Sequence, residues 1–178
     1  AGLERALGGH GLGLSDIHTV LCTHYHPDHC GLAAALQRCG THVRISDVDA
    51  AVLNDYFTNP HKDAERTAFF GHHRPVHDSG DRIGTMARLL RSLHCEFTPD
   101  STFSNGEIID IGGVSLEVML TPGHTPGHAV FACHAEKAVF TGDHILADQA
   151  SLISSRDGGE NADMLGAISR EAEWLARG

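Results

Sequence analysis

The chain has 178 residues, of which 41% are hydrophobic, and a formal net charge of −10. This length suits one domain with a real core, and the acidic balance makes a nucleic-acid backbone a poor partner. No apolar run approaches the roughly 18 residues of a membrane span, and residues 1–5 show no signal-peptide pattern. The five cysteines form no CxxC pair, which predicts thiols in a reducing compartment. We therefore expect a cytoplasmic protein with no nucleic-acid or membrane partner.

The first half of the chain predicts helices alternating with short strands. In order, the predicted elements are a helix over residues 3–10, a strand over 17–22, a helix over 28–38, a strand over 41–45 and a helix over 47–56. Residues 57–78 mix aromatic and basic side chains without a clear period, and a further helix is predicted over 81–93 from its apolar spacing.

The second half favours strands joined by glycine-containing turns. The predicted elements are strands over residues 107–111, 113–120, 128–134 and 137–140, followed by a helix over 164–176. The order of helices and strands predicts a layered α/β or α+β domain, and we expect residues 1–178 to form a single domain.

A cluster of polar residues follows the predicted strand over residues 17–22. The segment THYHPDH places His24, His26, Asp28 and His29 within six positions. Residues two apart in an extended segment point to the same side, so the first two histidines can reach one ion. Burying four such groups without a metal is costly, so a purely structural role is a poor explanation.

Two later segments each add one residue of the same kind. TPGH contributes His124 and TGD contributes Asp143, each after an apolar run. Neutral imidazole and carboxylate are the ligands that zinc prefers, and six of them exceed the needs of one tetrahedral ion. The pattern predicts a two-metal site. Packing remains as good an explanation of His128 as a contact with a ligand, and a solvated loop is the favoured interpretation of His72, His73 and His77.

The stretches LCTHYHPDHCG, LTPGHTPGH and VFTGDHIL resemble the metallo-β-lactamase superfamily, and the resemblance extends from about residue 14 to the end of the chain. It implies an αββα sandwich with the metal ions at one edge of the sheets. Zinc is the leading choice of metal, and two ions are expected in the full-length protein. The resemblance also implies that His24, His26 and His124 bind the first ion, that Asp28 and His29 bind the second, and that Asp143 bridges the two.

The chain departs from the family pattern in two respects. The family has a further second-site histidine after its final helix, whereas no histidine follows His144 here. The family also opens with several strands before the helix that leads to the HxHxDH segment. We therefore expect a sandwich that is incomplete in its N-terminal sheet and at its C-terminus.

The segments TPGHTPGH and GDHIL resemble the glyoxalase II-like branch of small-metabolite hydrolases. The resemblance implies a metal-dependent hydrolase in which a hydroxide formed at the metals attacks the carbonyl of a thioester, lactone or related ester. Asp28 is the predicted catalytic residue, since it can orient the nucleophile or return a proton to the leaving group. Thr23 and Thr141 are expected to hydrogen-bond ligands, and His128 or His144 to orient Asp143.

The substrate is expected to be a small molecule bound beside the irregular segment 57–93, and the oligomeric state is left open. The alternatives are a β-lactamase of the same superfamily and a non-catalytic metal-binding remnant. A nuclease is disfavoured by the acidic charge.

Overall fold

The computed structural model describes residues 2–58, 97–146, 151 and 161–177. The helices of these residues are α1 (Gly2–Gly8), α2 (Pro27–Cys30), α3 (Ala33–Gln37), α4 (Asp47–Thr58) and α5 (Asn161–Arg177), with a 3-10 turn at Leu14–Asp16. The strands are β1 (Thr19–Leu21), β2 (His42–Ser46), β3 (Ser101–Phe103), β4 (Ile108–Asp110), β5 (Ser115–Leu120), β6 (Ala129–Cys133) and β7 (Ala138–Phe140). None of the described helices is long and apolar enough to cross a bilayer.

The first sheet, sheet A, is parallel and has the order β1-β2-β3. In register, Val20 lies opposite Val43, and Ile45 lies opposite Thr102. Helices α2, α3 and α4 follow β1 and β2 as crossover segments, which parallel neighbours require. The site residues that follow β1 therefore emerge at the carboxyl end of a parallel sheet.

The second sheet, sheet B, is an antiparallel meander with the order β4-β5-β6-β7. Strands β5 and β6 pair from Glu117–Ala132 to Leu120–Ala129, and the loop between them carries the TPGHTPGH segment. Strand β6 is buried along its whole length, which explains its unbroken apolar sequence.

Two buried clusters hold these layers together. One joins sheet A to the helices after it and includes Tyr25, Val43 and Leu53. The other joins β3 to sheet B, where the rings of Phe103 and Phe131 meet edge to face with centroids 5.3 Å apart. Edge-to-face contact is a favoured aromatic geometry, so these two rings help fix how the sheets meet.

The predicted α/β class and its two sheets are confirmed, and Tyr25 packs in the core. The prediction of a single helix over residues 28–38 is wrong, because two helices, α2 and α3, occupy this segment. Gly31 is the C-cap of α2, and α3 restarts at Ala33. Strand β3 was not predicted, since its three residues are too few to show a period. Most of the segment 57–93 lies outside the described residues, as do His72, His73 and His77.

Candidate metal centre

The segment that carries the first histidines leaves β1 and is held by both sheets. The Cys22 N–H donates to the Arg44 carbonyl at 2.9 Å, which extends the pairing of β1 with β2. One residue later, the Thr23 carbonyl accepts from the Ala129 N–H of β6 at 2.8 Å. The backbone just before His24 is therefore fixed to sheet A and sheet B at the junction where they meet.

Three imidazoles converge at this junction. His24 Nε2 lies 3.1 Å from His26 Nδ1, and His124 Nε2 lies 2.9 Å from the same atom. All three rings belong to one group whose potential ligand atoms lie within 4.8 Å of one another. The structure thus brings together, from two different sheets, the three residues expected to bind the first ion.

The spacing of these nitrogens fits a zinc ion. Two ligands that each lie about 2.0–2.1 Å from a tetrahedral zinc are about 3.3 Å apart, close to the observed separations. His24 is fully buried and His124 nearly so, while His26 is half-buried. Neutral imidazoles with convergent lone pairs are what a divalent ion requires.

A second group lies beside the first and shares His24 with it. It consists of His24, His29 and Asp143. His29 Nε2 is 3.0 Å from Asp143 Oδ1, and the other carboxylate oxygen lies 3.6 Å from His124 Nε2. Asp143 therefore presents one oxygen to each group. Asp28 lies at the solvent side of this arrangement, 3.7 Å from His29 Nε2 and with its side chain 52% exposed.

A single hydroxyl connects the two groups. Thr23 Oγ1 lies 3.1 Å from His24 Nδ1 and 3.3 Å from His29 Nδ1. When Nε2 of each ring binds a metal ion, its Nδ1 carries the hydrogen and donates to Thr23 Oγ1. This hydroxyl therefore sets the tautomer and the tilt of one histidine in each group.

We expect Thr23→Val to weaken zinc binding about 10–100-fold, the usual cost of losing a partner of a metal-binding histidine. Valine preserves the shape of the side chain but leaves both Nδ1–H groups without their acceptor. Zinc affinity measured by competition with a chromophoric chelator would test this, with Thr19→Val on the exposed surface of β1 as the matched control. Equal affinities for both variants would contradict this assignment.

A buried histidine anchors the turn that carries Asp143. The Asp143 N–H donates to His128 Nε2 at 3.2 Å, so the hydrogen of this ring is on Nδ1, which donates to Thr121 Oγ1 at 2.8 Å. A Cβ at Gly142 would lie 2.8 Å from His128 Nε2, and this glycine has φ +52°. The short contact and the positive φ both require glycine in the TGD turn. His128 holds this turn by accepting a hydrogen bond from the backbone N–H of Asp143.

Burial favours the neutral form of His24, His26 and His128. Desolvation, followed by repulsion from His124, lowers the pKa of His26 to about 4. Desolvation also lowers the pKa of His128 to about 2 and lowers that of His24 still further. Protons therefore compete weakly for these rings in the folded state, which suits metal binding at neutral pH.

We expect acid to destabilise the metal-free protein. The unfolded chain protonates His24, His26 and His128 near pH about 6.5, whereas the folded chain does not until lower pH, so each costs up to about 1.4 kcal/mol per pH unit as pH falls. Asp49 acts in the opposite direction, since burial raises its pKa to about 6 and its contribution is lost as pH rises. Three groups outweigh one, and stability should fall between about pH 6.5 and pH 4.

Urea unfolding in the presence of a chelator, at pH 7 and pH 5, would measure this effect. A midpoint that stayed the same or rose at pH 5 would show that the histidines are not held neutral in the folded state.

One expectation about the residues near the ligands is wrong, and two further residues there were not expected. Thr141 was expected to bond a ligand, but its hydroxyl donates to the Ile145 carbonyl at 3.0 Å and thereby closes the turn after β7. Ser151 Oγ lies 3.4 Å from His124 Nδ1, a contact that no sequence pattern indicated. Asp49 was also missed, although it contacts the loops that carry His26 and His124.

The profile of the metallo-beta-lactamase superfamily matches residues 1–173. The chain belongs to this superfamily. Hydroxyacylglutathione hydrolase GloC of Haemophilus influenzae is 32% identical over 130 residues, which cover 72% of this chain and 50% of that protein. The hydroxyacylglutathione hydrolase of Francisella philomiragia is 43% identical over 81 residues, which cover 40% of this chain and 32% of that protein.

The fold agrees with this membership. A metallo-beta-lactamase family protein from Thermus thermophilus superposes with a TM-score of 0.75 and 24% identity, over 98% of this chain and 57% of that one. This superfamily chain therefore has the metallo-β-lactamase fold, and it spans about half or less of the length of the curated relatives named above. The superfamily is metal-dependent, typically with zinc.

Proposed function

We propose that the protein to which this chain belongs is a zinc-dependent hydrolase of small thioesters. The observation that carries this proposal is the convergence of His24, His26 and His124 beside the pair His29–Asp143. Residues of this kind at this spacing suit two hydrolytic metal ions. The names of the curated relatives, which are hydrolases of a glutathione thioester, support the choice of substrate class.

His24, His26 and His124 would hold one ion, and His29, Asp28 and Asp143 would hold the other, with Asp143 available to both. Bound zinc would supply Lewis acidity, polarising the substrate carbonyl and making water acidic enough to act as a nucleophile near neutral pH. His128 keeps Asp143 in place through its backbone N–H, and Thr23 keeps His24 and His29 in the required tautomer.

Asp28 is the proposed proton carrier. Its carboxylate is half exposed and lies 3.7 Å from His29 Nε2, at the solvent side of the two ligand groups. It would orient the attacking water, accept its proton and return that proton to the sulfur of the departing thiol. The products are a carboxylic acid and a thiol, and no further reactant is consumed.

A lactone or another ester would meet the same carbonyl chemistry, and a β-lactamase can use a similar ligand set. We favour a thioester because the solved β-lactamase structures that resemble this chain do so at low identity, for example 20% for the BLEG-1 enzyme. Such a similarity establishes the fold alone.

The test uses the full-length gene product loaded with zinc. It would be assayed against an acyl-glutathione thioester, an aliphatic lactone and a chromogenic cephalosporin, with a chelator-treated sample as the control. We expect kcat/KM for the thioester to exceed the other two values at least about 100-fold, a difference of about 2.7 kcal/mol in transition-state stabilisation. Faster hydrolysis of the cephalosporin, or thioester cleavage that survives removal of the metal, would refute the proposal.

A further inference from the structure

Asp49 is a fully buried carboxylate that contacts two separate loops. It lies in the first turn of α4 and is 0% exposed. Its Oδ2 accepts from the Tyr25 N–H at 3.2 Å and from the Thr125 hydroxyl at 2.9 Å, and its Oδ1 accepts from the Gly127 N–H at 2.7 Å. One side chain therefore joins α4 to the loop after β1 and to the loop between β5 and β6.

These contacts fall beside the metal-binding histidines. Tyr25 lies between His24 and His26 in the sequence, and Thr125 directly follows His124. A helix cap alone would need neither contact, because the cap of α4 is made by Ser46, whose Oγ accepts from the Asp49 N–H at 3.0 Å. The Asp49 carboxylate is thus directed away from its own helix and toward the ligand loops.

The loop after His124 approaches α4 too closely for any side chain. A Cβ at Gly127 would lie 2.4 Å from Ser46 Oγ and 2.6 Å from Asp49 Oδ1. The donor N–H of Gly127 is therefore pressed against the carboxylate. The close contact with the loop between β5 and β6, together with the hydrogen bond to the loop after β1, fixes the separation of the two loops.

A buried carboxylate is an expensive way to join two loops. Removing an ionised group from water costs several kcal/mol unless hydrogen bonds replace the lost solvent. The three donors offset part of this cost, and the N-terminus of α4 adds a favourable dipole. An apolar side chain would pack there more cheaply, but it would leave the N–H groups of both loops without an acceptor.

We propose that Asp49 is a positioning residue that sets the distance between His26 and His124 and thereby the metal affinity of the three-histidine site. This inference rests on the proposed metal site. It adds that the affinity depends on a residue that touches none of the ligands.

The test compares three variants of the full-length protein. Asp49→Asn keeps the size of the side chain but turns an amide NH₂ toward at least one N–H or O–H donor. Thr125→Val keeps the shape of residue 125 and removes only its bond to Asp49. Leu53→Ala is the matched control, because it opens the core beneath the same helix without removing a hydrogen bond to either loop.

Three quantities would be measured: zinc affinity by chelator competition, the visible spectrum of the cobalt-substituted protein, and the melting temperature of the metal-free form. We expect Asp49→Asn to weaken zinc binding about 10–100-fold and to change the cobalt spectrum, as loss of an outer partner does. Thr125→Val should have a smaller effect, and the two changes should be less than additive, because they act through one contact. Leu53→Ala should lower the melting temperature and leave zinc affinity and the cobalt spectrum near those of the wild type.

Three results would overturn the inference. The first is wild-type zinc affinity in both Asp49→Asn and Thr125→Val. The second is loss of affinity in Leu53→Ala in proportion to its lost stability, since that would make Asp49 an ordinary structural residue. The third is a wild-type protein that binds no zinc, which would also refute the proposed metal site. If Asp49→Asn does not fold, Thr125→Val decides the question by itself.

Discussion

Replacing His26 with alanine should abolish tight metal binding. Its Nδ1 is the atom that both other imidazoles approach, at 3.1 and 2.9 Å. Losing an outer partner of a ligand already weakens metal binding about 10–100-fold, so losing the ligand itself should cost more than about 100-fold. We expect the stability of the metal-free protein to fall much less than its metal affinity, because His26 is only half-buried.

The matched control is His134→Ala. His134 lies in the turn after β6, where its exposed ring bonds Glu117. Elemental analysis after dialysis should find the first ion in the His134 variant and not in the His26 variant. Retention of a tightly bound ion in both would show that the three-histidine group is not the metal site.

Asp28→Ala in the full-length protein should reduce turnover about 10²–10⁴-fold, the range that one proton-transferring group contributes. The first ion should remain bound, because Asp28 is 3.7 Å from His29 and belongs to neither close group of ligand atoms. The expected signature is a lower kcat with an intact three-histidine site. Steady-state kinetics combined with metal analysis of the same preparation would detect it.

Glu136→Ala is the control for this change, since Glu136 is an exposed carboxylate in the turn between β6 and β7. It should leave kcat unchanged. Nearly normal turnover of the Asp28 variant would show that Asp28 is not the proton carrier. Loss of the first ion from this variant would show that Asp28 belongs with the three histidines.

Most of the candidate site could be predicted from the sequence, because its residues lie in short segments that directly follow predicted strands. His24, His26 and His29 lie within six residues, and strand ends predict where they emerge. Their meeting with His124 and Asp143 depends on how the two sheets join, which periodicity does not encode. That step came from the resemblance to a family and not from spacing.

The contacts of Asp49 could not be predicted from the sequence. In the sequence SDVDAAVL, Asp49 has the position of an ordinary acidic residue in a first helical turn, where such residues are favoured by the helix dipole. Its partners lie far away along the chain, at Tyr25, Thr125 and Gly127. Only the docking of α4 against both loops distinguishes it from its exposed neighbour Asp47, whose carboxylate bonds Ser104.

The topology of the two sheets has a consequence for folding kinetics. Sheet B is a meander in which every strand pairs with its neighbour in the sequence, whereas sheet A pairs Arg44 with Ser101, two residues that are far apart in the sequence. Local pairing has a lower entropic cost of closure, so we expect sheet B to form first and sheet A to dock later. His124 and Asp143, which follow strands of sheet B, would then be in place before the histidines that follow β1. An ion that needs both partners would bind after the transition state, and it would slow unfolding without speeding refolding.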